Sequence, residues 1–287
     1  SKTDPSVFNV AGVVHAGSFF EDTVGKNEAV RIMTGGAVPK GTDTVVRVED
    51  TDRERTEPGK ISIFSIRDRG RNVRPSGEDW IEGTTVLKLG QSISPRQIAV
   101  LAAARVNSVP VFKKPTVAVL SSGNELEPLS EPSLNPKKIP ESNSHLICAS
   151  VEAAGAIPNN LGIAKDDQQD IGAHIKKGRE ADVLITIGGA SMGEGDLFKD
   201  CLDQAGFSLD FWRAKMRPGS PVSFGQLPRE NRNNQIVFSL PGNPSSAMVT
   251  FEIFVRPFLL ALAGSSQIYR PIIDASSAIA LSSPKNL

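Results

Sequence analysis

The stretch with the clearest chemical potential lies near the middle of the chain, where an apolar run meets glycines and acids. It reads Ile185-Thr186-Ile187-Gly188-Gly189-Ala190-Ser191-Met192-Gly193-Glu194-Gly195-Asp196. Glycines let backbone amides approach a bound anion closely, and the carboxylates of Glu194 and Asp196 stand two residues apart. The pattern predicts a phosphate-type loop after a buried strand. Taken alone, such a turn more often only packs a helix against a sheet.

The same construction occurs twice more along the chain. Residues 117–120 and 236–240 form short apolar runs of the kind found in strands that are buried on both faces. The first run ends in Ser121-Ser122-Gly123-Asn124-Glu125, and the second ends in Pro241-Gly242-Asn243-Pro244-Ser245-Ser246. Three strands that each end in a glycine-bearing loop are typical of the ligand-binding edge of a doubly wound α/β domain.

Positive charge falls between the second and third of these loops. The segment Lys215-Met216-Arg217-Pro218-Gly219-Ser220-Pro221 places a lysine and an arginine among rigid turns. Loop amides, helix N-termini and a guanidinium together favour an oxyanion or phosphate over a neutral ligand. The alternative is that Lys215 and Arg217 form an ordinary surface pair.

Helices predicted after these loops would hold them in place. Asp196 is suited to cap a helix that carries Leu197, Cys201 and Leu202 at helical spacing. Asn243 is a candidate cap for a helix that begins at Pro244, reaches residue 263 and is kinked at Pro257. Two further helices are predicted at 143–154 and 167–177, each followed by a glycine.

The first quarter of the chain has a different character. Residues 1–74 are rich in short alternations that predict strands at 8–14, 29–32, 44–48 and 61–66. Residues 52–59 read as an exposed hairpin loop, residues 33–41 as a glycine-rich turn, and residues 69–79 as a surface loop with arginines and acids. A helix capped by Ser94 is predicted from Pro95, and the prolines at 110 and 115 mark a domain boundary.

Composition narrows the functional classes. The 287 residues carry 32 basic and 32 acidic side chains, so no overall field favours nucleic acid. The two cysteines, Cys148 and Cys201, fall in separate predicted helices as small core residues, which suits a reducing compartment. Charged residues and a proline interrupt the apolar run at 251–263, which is shorter than the ~20 apolar residues of a membrane span. We therefore expect a cytoplasmic protein that binds neither nucleic acid nor membrane.

Taken together, the motifs resemble those of the MoeA proteins and of the E domain of gephyrin, which insert molybdenum into molybdopterin. The resemblance runs from about residue 7 to residue 264 in the family's order. The matching motifs are Met33-Thr34-Gly35, Val38-Pro39-Lys40-Gly41, Gly77-Glu78-Asp79, Leu120-Ser121-Ser122-Gly123-Asn124-Glu125-Leu126, Gly162-Ile163, Asp166-Asp167, the glycine loop from Gly188 to Asp196, Met216-Arg217-Pro218-Gly219 and Leu240-Pro241-Gly242-Asn243-Pro244.

This resemblance implies a multidomain α/β protein that forms a homodimer. Its parts would be a β-rich N-terminal domain (1–74), an extended dimerisation or linker region (75–115), a doubly wound, MogA-like molybdopterin-binding domain (116–264) and the start of a truncated C-terminal β domain (265–287). Thr34 and Asp79 would approach the site from the neighbouring subunit.

The activity that the resemblance implies is that of a molybdopterin molybdotransferase. Such an enzyme takes adenylated molybdopterin and molybdate, cleaves the adenylate and leaves molybdenum on the dithiolene, and a fused or separate partner supplies the adenylated substrate. The implied catalytic residues are Asp196, Glu125, Glu194 and Asp79, and Mg²⁺ or another divalent cation would be held by Glu125, Asp167 and Asp196. The implied binding residues are Thr34, Ser122, Gly123, Ser142, Asn143, Gly188, Gly189, Ser191, Gly193, Lys215, Arg217, Pro241, Gly242, Asn243, Ser245 and Ser246.

Three positions depart from the family's pattern. Glu141 stands where the family usually has aspartate, Ile157 where plant and animal relatives are basic, and Ser220 where a lysine is expected. The aspartate-containing segment that precedes the first motif in the family is also missing here. These departures keep open an alternative, a catalytically impaired pterin-binding protein or a gephyrin-like dimeric scaffold. A nucleotide-binding dehydrogenase is disfavoured, because no GxGxxG motif follows a first strand.

Overall fold

A computed structural model describes residues 6–65, 67–130, 135–188 and 196–280. The chain divides into two compact units, Ser1–Thr85 and Val86–Leu287. This division is coarser than the four parts expected from the sequence, whose boundaries stay predictions. The first unit is built on strands and the second on a sheet covered by helices.

The first unit contains a three-stranded sheet in the order β2-β1-β3. Strand β1 (Ser6–Val14) pairs in parallel with β2 (Glu28–Ile32) and antiparallel with β3 (Lys60–Ile63). The strands predicted at 8–14 and 29–32 are confirmed, and the one predicted at 61–66 ends at Ile63, with residue 66 outside the described part.

The strand predicted at 44–48 is wrong. This segment is irregular and passes into a single 3₁₀ turn, Val48–Asp50. Its backbone finds partners outside any sheet, because Val45 N donates to Arg71 O (3.3 Å) and Arg47 N donates to the Asp68 carboxylate (3.2 Å). Thr44, Val45 and Val46 are half-buried and line a hollow of this unit without joining a ladder, whereas Val48 is exposed.

An ion pair between the half-exposed Arg47 and the buried Asp68 holds this irregular segment in place. Asp68 is only 3% exposed, and its two carboxylate oxygens accept bonds from Arg47 Nε (3.0 Å) and Nη2 (3.1 Å). A second fork joins Arg67 to Asp50 at 2.6 and 2.7 Å. The hydrogen bond from the Arg47 guanidinium, with its charge, holds the pKa of Asp68 below its ordinary value.

Few apolar side chains in the described part of this unit are fully buried. Among its described residues only Val14, Val24, Pro39 and Asp68 are buried. Half-buried apolar side chains, including Phe8, Val30 and Ile61, surround a hollow of about 520 Å³. The first unit therefore depends on its ion-paired loops as well as on apolar contacts.

The second unit is built on a six-stranded sheet in the order β7-β4-β8-β11-β10-β9. Its strands are β4 (Thr116–Ser122), β7 (Ile157–Ala164), β8 (Val183–Ile187), β9 (Ser208–Trp212), β10 (Ser223–Leu227) and β11 (Gln235–Leu240), with a short parallel pair, β5 (Leu126–Glu127) and β6 (Ile139–Pro140), apart from the sheet. Strands β7, β4, β8 and β11 run parallel, while β10 is antiparallel to both of its neighbours.

The helices of the second unit are α1 (Pro95–Ala103), α2 (Asn143–Ala153), α3 (Gln168–Lys177), α4 (Leu197–Gln204), α5 (Pro244–Thr250) and α6 (Arg256–Leu262), with a π-helical turn, Phe251–Val255, joining the last two. Helices α2, α5 and α6 pack on one face of the sheet through Ile147, Ala247 and Leu259, whereas α3 and α4 pack on the other through Ile171 and Leu202. The doubly wound α/β fold is confirmed.

Alternation along the strands explains this two-sided core. In β4, Val117 and Val119 face the α2 side, while Ala118 and Leu120 face the α3 side, and all four are fully buried. The strand order also places a topological switch point between β4 and β8, because the chain leaves β4 toward β7 and then returns to β8 on the opposite side. Ligands in such sheets bind at the carboxyl ends of the strands near this point.

Strands β7, β9 and β10 were not predicted from the sequence. Strand β7 begins Ile157-Pro158-Asn159-Asn160, a start that resembles a loop because it combines a proline with two polar residues. Its pairing with β4 makes it a strand in spite of that composition. The described residues that follow α6, 265–280, form no strand.

Residues 244–262 form one continuous helical stretch, in agreement with the helix predicted from Pro244 to residue 263. By length and composition this stretch could cross a membrane, contrary to the expectation from its charged residues. Its buried face, with Ala247, Phe251 and Val255, packs against the sheet. Glu252 on the same stretch accepts hydrogen bonds from Arg270 at 3.1 Å. These contacts assign the helix to the core of the second unit.

The Asp68 ion pair makes the stability of the first unit sensitive to acid. Because the native pKa of Asp68 is lowered, its stabilisation is fully present above the pKa of an unfolded aspartate, about 3.9, and is lost as the pH falls through the native pKa. Asp68→Asn should lower the melting temperature at neutral pH and flatten its decline in acid. Glu57→Gln, which alters an exposed pair with Lys60, should change neither. Calorimetry at neutral pH and at about pH 3 checks this, and an acid response of Asp68→Asn that matches the unmodified protein would contradict it.

Candidate functional site

The loops singled out from the sequence meet at one edge of the sheet. Strands β4, β8 and β11 are parallel, so the segments that follow Ser122, Ile187 and Leu240 leave the sheet on the same side. Strand β10 runs the other way, and its first residue, Ser223, lies opposite Ser239. The turn 213–222, which carries Lys215 and Arg217, therefore reaches the same edge.

The loop after β4 is held by an aspartate that follows the neighbouring strand. The Asp166 carboxylate accepts a bond from Ser122 Oγ (2.5 Å) and another from Asn124 N (3.0 Å), while Asp166 N donates to Asn124 Oδ1 (3.3 Å). Asp166 was seen as part of a motif but was not predicted as a site residue. Its position at the end of β7 would have indicated this role, had that strand been predicted.

Two glycines bring the three loops into contact. A Cβ atom on Gly188 would lie 3.0 Å from the carbonyl oxygen of Ser122, and the residue has a φ of +92°. A Cβ atom on Gly242 would lie 3.8 Å from the Cα atom of Gly188. Asn143, at the start of α2, donates from Nδ2 to the Gly242 oxygen (2.7 Å). The loops after β4, β8 and β11 and the start of α2 therefore form one surface.

Several polar atoms near this surface are buried without a partner. They are Asn143 Oδ1, Thr186 Oγ1, Ser223 Oγ and Ser239 Oγ. The three hydroxyl residues lie in register across β8, β11 and β10, on the face that packs against α3 and α4. Buried polar atoms without partners are rare and are often satisfied by a ligand or by bound water. Asn143 Oδ1 is the one that belongs to the loop surface.

Glu141, the departure from the family's aspartate, is a structural centre of this edge. The side chain is 3% exposed and accepts bonds from Ser121 Oγ (2.9 Å), Ser144 N (2.7 Å) and Ser144 Oγ (2.5 Å). It thereby ties the end of β4 to the first turn of α2. Burial and the nearby charge of Glu141 raise the pKa of the Cys148 thiol to about 11, so this cysteine remains protonated, as expected for a core residue.

The two predicted cations stand exposed at the edge. Neither Lys215 nor Arg217 makes an ion pair or side-chain hydrogen bond with another residue in the described part of the chain. Gly219, with a φ of +100°, sets their turn against α5, because a Cβ atom there would meet Thr250 Cγ2 at 2.7 Å and Ser246 O at 3.6 Å. Uncompensated positive charge beside the first turn of a helix suits an oxyanion.

The caps predicted at Asp196 and Asn243 are confirmed, and Asp167, which was not predicted as a cap, caps a third helix. Asp196, 8% exposed, accepts bonds from Phe198 N (3.1 Å) and Lys199 N (3.3 Å) at the start of α4. Asp167 accepts from Asp170 N (2.8 Å) at the start of α3, and Asn243 accepts from Ser246 N (3.2 Å) at the start of α5. The acids proposed for chemistry or metal binding therefore also position the helices that approach the edge.

The described residues do not complete the predicted divalent-cation site. Within ranges 6–65, 67–130, 135–188 and 196–280, no three His, Cys, Asp or Glu side chains lie close enough to hold a metal ion. The carboxylate of Glu125 lies over Gly123, at 2.7 Å from the position of an added Cβ atom, apart from any such group. Predicted site residues outside the described part are Gly189, Ser191, Gly193 and Glu194.

The remaining predicted residues fall into two groups. The first group borders the loop surface. Ser142 lies at the start of α2, Pro241 follows the end of β11, and Ser245 and Ser246 lie in the first turn of α5. Thr34 and Asp79 belong to the first unit, where Thr34 is exposed and Asp79 accepts bonds from Arg74 (2.7 Å). An approach of Thr34 and Asp79 to this edge from a neighbouring subunit stays a prediction.

The fold and this edge define a class: a doubly wound α/β protein with glycine-lined loops and exposed cations at the carboxyl edge of its sheet, beside the topological switch point. Two family models match the chain, a probable molybdopterin binding domain over residues 118–261 and the MoeA N-terminal region (domain I and II) over residues 1–104. The chain belongs to the MoeA family.

Individual relatives agree with this assignment. The molybdopterin molybdenumtransferase of Bacillus subtilis is 37% identical over 90% of this chain and 59% of its own length. A protein of Mycobacterium tuberculosis named molybdopterin molybdenumtransferase 2 is 36% identical over 98% and 69%. A solved MoeA structure from Pyrococcus horikoshii OT3 aligns with a TM-score of 0.70 at 28% identity, over 92% of this chain and 62% of that one. The chain thus spans roughly two thirds of these proteins.

The packing of Gly219 predicts how the cationic turn responds to a single added carbon. Gly219→Ala should displace the turn from α5, because the new Cβ atom would overlap Thr250 and the positive φ is strained for alanine. The affinity for a tetrahedral oxyanion such as molybdate, measured by calorimetric titration, should fall. The matched control is Gly172→Ala within α3, where nothing lies within 4 Å of the added atom, so oxyanion affinity should be unchanged. Equal affinities in the two variants would contradict the placement.

Proposed function

We propose that this protein acts as a molybdopterin molybdotransferase, which cleaves adenylated molybdopterin and transfers molybdenum from molybdate to its dithiolene. The observation that carries the proposal is the pair of cations Lys215 and Arg217, which have no ion-pair partner among the described residues and lie on a turn that packs against α5 where three glycine loops meet. The names of the curated relatives support this substrate class.

Molybdate is the substrate that the cationic turn suits best. It is a tetrahedral dianion, and Arg217 can donate charge-assisted hydrogen bonds to it while Lys215 adds a second charge. The Ser246 amide is already taken by Asn243, which leaves the Ser245 amide and the two serine hydroxyls as the donors of the α5 turn. Charge from the turn and neutral donors from the helix start would together hold the ion.

Molybdopterin itself suits the glycine surface. Backbone at Gly188 and Gly242 is open to close approach by a phosphate, because no side chain lies within 4 Å of a Cβ atom added at either position, whereas the Glu125 carboxylate lies over Gly123. The amide of Asn143 donates to Gly242, so its buried Oδ1 atom is left as an acceptor for an N–H group such as those of a pterin ring. The site would thus recognise the phosphate and the heterocycle through different loops.

Cleavage of the adenylate is a phosphoanhydride hydrolysis. The oxygen of a water attacks phosphorus, the bond to the bridging oxygen breaks, and AMP leaves with that oxygen. Glu125 is an exposed carboxylate beside Gly123 and can accept the proton that the water loses. Asp196 fixes the start of α4 next to the central loop. Mg²⁺ would supply charge neutralisation to this reaction, but the described carboxylates do not complete a site for it, so we assign no step to the cation.

The proposal includes a cytoplasmic homodimer, with α1 and the extended residues beside it as the subunit contact. In that arrangement Thr34 and Asp79 of a second copy would complete the site. Sedimentation at micromolar concentration should therefore give a species of about twice the 30.6 kDa chain mass. A species of single-chain mass alone would contradict the dimer.

Arg217 provides the direct test of molybdate binding. Arg217→Ala should weaken molybdate binding by roughly ten- to a hundredfold, since a lost charge-assisted hydrogen bond costs about 1.5 to 3 kcal/mol. Arg213→Ala is the matched control, because Arg213 lies in the same segment but stacks 4.3 Å over the Trp212 ring. Calorimetric titration with molybdate measures both variants. Unchanged affinity in a folded Arg217→Ala protein would refute the site.

A substitution at Asp196 distinguishes its role as a helix cap from a role in the reaction. Asparagine caps a helix about as well as aspartate, so Asp196→Asn should leave the melting temperature nearly unchanged. If the negative charge serves the reaction, cleavage of adenylated molybdopterin should collapse in the same variant. Release of AMP, measured first in the unmodified protein, reports that rate. Cleavage by Asp196→Asn at the unmodified rate would leave Asp196 as a cap alone.

A further inference from the structure

A second charged cleft lies at the opposite edge of the sheet. It is lined by Arg179, Glu180, Pro228, Arg229, Glu230 and Arg232. Arg179 and Glu180 lie between the end of α3 and the start of β8, and the other four belong to the connection from β10 to β11. These segments lie at the amino ends of the parallel strands, whereas the candidate site lies at their carboxyl ends. The cleft is therefore separate from the site described above.

In this cleft, Arg179 and Arg229 each donate hydrogen bonds to backbone oxygens of the loop that carries the other. Arg229 donates from Nη1 to the Arg179 oxygen (3.2 Å) and to Ala181 O (3.0 Å), and from Nε to Asn233 O (2.9 Å). Arg179 in turn donates from Nη2 to the oxygen of Pro228, the residue before Arg229, and from Nη1 to Gln235 Oε1 (3.5 Å). Both guanidinium groups are thus oriented by neutral acceptors, across two different loops.

No carboxylate compensates this pair in the described part of the chain. Arg232 makes the only ion pair of the cleft there, with Glu180 at 2.7 Å, and Glu230 makes none. Arg179 and Arg229 are both half-buried, and burial together with the charge of Arg229 lowers the pKa of Arg179. Two like charges that face each other in a partly buried cleft repel, and an anion between them would relieve the repulsion.

Support of the backbone does not by itself require two cations here. The neutral amide of Gln235 already binds Gly178 O (2.7 Å) and Ala181 O (2.9 Å), and Ala181 O is one of the carbonyls that Arg229 also holds. Each arginine also keeps a donor without a described acceptor, Nε of Arg179 and Nη2 of Arg229. Guanidinium donors on two sides of a cleft match the oxygens of a phosphate group.

We propose that the cleft between Arg179 and Arg229 binds a phosphate group, either as inorganic phosphate or as part of a nucleotide. Three arginines against two glutamates leave the rim with one net positive charge, which suits one small anion and not a polyanion. The site lies at the edge opposite Arg217, so its occupant is a ligand other than the molybdate proposed there.

Titration of the full chain with inorganic phosphate, in a phosphate-free buffer, tests this site. Binding should be saturable by calorimetry, and the side-chain Nε–H signal of Arg179 should shift in nitrogen-edited NMR. Arg179→Gln should weaken phosphate binding by at least about tenfold, because one charge and its hydrogen bonds are lost. Arg179→Lys, which keeps the charge but not the planar fork, should bind with intermediate affinity.

Two control variants fix the location of the phosphate. Arg232→Gln removes an arginine that is already paired with Glu180, so phosphate affinity should change by no more than about threefold. Arg213→Ala should leave phosphate affinity unchanged, because Arg213 stacks on Trp212 in the turn at the other edge. No saturable binding, unchanged binding in Arg179→Gln, or an equal loss in Arg213→Ala would each overturn the proposal.

A parallel titration with AMP distinguishes the two sources of the phosphate group. Tighter binding of AMP than of phosphate, lost in Arg179→Gln, would assign the cleft to a nucleotide. Equal affinities would assign it to inorganic phosphate. Failure of molybdate to bind at Arg217 would not change these results, so the phosphate proposal and the molybdate proposal are tested independently.

Discussion

The close approach of three loops at Gly188 is the constraint on which the candidate site depends. A single carbon added to this glycine would lie 3.0 Å from the Ser122 carbonyl oxygen, and its φ of +92° disfavours any side chain. The backbone of β8 can therefore pass beside both neighbouring loops only because this position has no Cβ atom. The contact brings the ends of β4 and β11 to a common surface, and every candidate binding group of the second unit is arranged around it.

Polar side chains, not apolar ones, fix the loops once the sheet has formed. Glu141 joins β4 to α2, Asp166 joins the β4 loop to the end of β7, and Asn143 joins α2 to the β11 loop. Each of these bonds lies at the margin of a core that is otherwise apolar on both faces of the sheet. In surroundings of lower polarity than water, hydrogen bonds with satisfied partners are strong and directional, so they can hold an open surface in one shape.

The arginines discussed above differ in whether a carboxylate lies beside them. In the first unit, Arg47 and Arg67 each meet a carboxylate, and the charges serve stability. In the second unit, Arg217 at one edge and Arg179 with Arg229 at the other lack such partners in the described part of the chain. A guanidinium without a carboxylate partner can donate charge-assisted hydrogen bonds to an anion, which is the basis of both binding proposals.

Local patterns in the sequence were sufficient for many of the elements. Buried strands that end in glycine loops and the caps at Asp196 and Asn243 follow from neighbours within a few residues. The motifs also indicated the MoeA family, which the family models confirm. Where local composition was ambiguous the predictions failed: β7 was missed, and the strand expected at 44–48 is an irregular segment.

Only the tertiary structure could decide which distant residues meet. Asp166 and Asn124 are 42 residues apart, and Arg229 lies 50 residues from the Arg179 carbonyl that it holds. Such pairs depend on strand order and register, which no periodicity within one segment encodes. The same reason explains Glu141: its sequence position shows an acid longer than the family's aspartate, but its burial among Ser121 and Ser144 exists only because β4 and α2 pack side by side. The sequence by itself therefore determined the loops, caps and family of this protein, whereas the partners of its polar groups were decided by how the strands and helices came together.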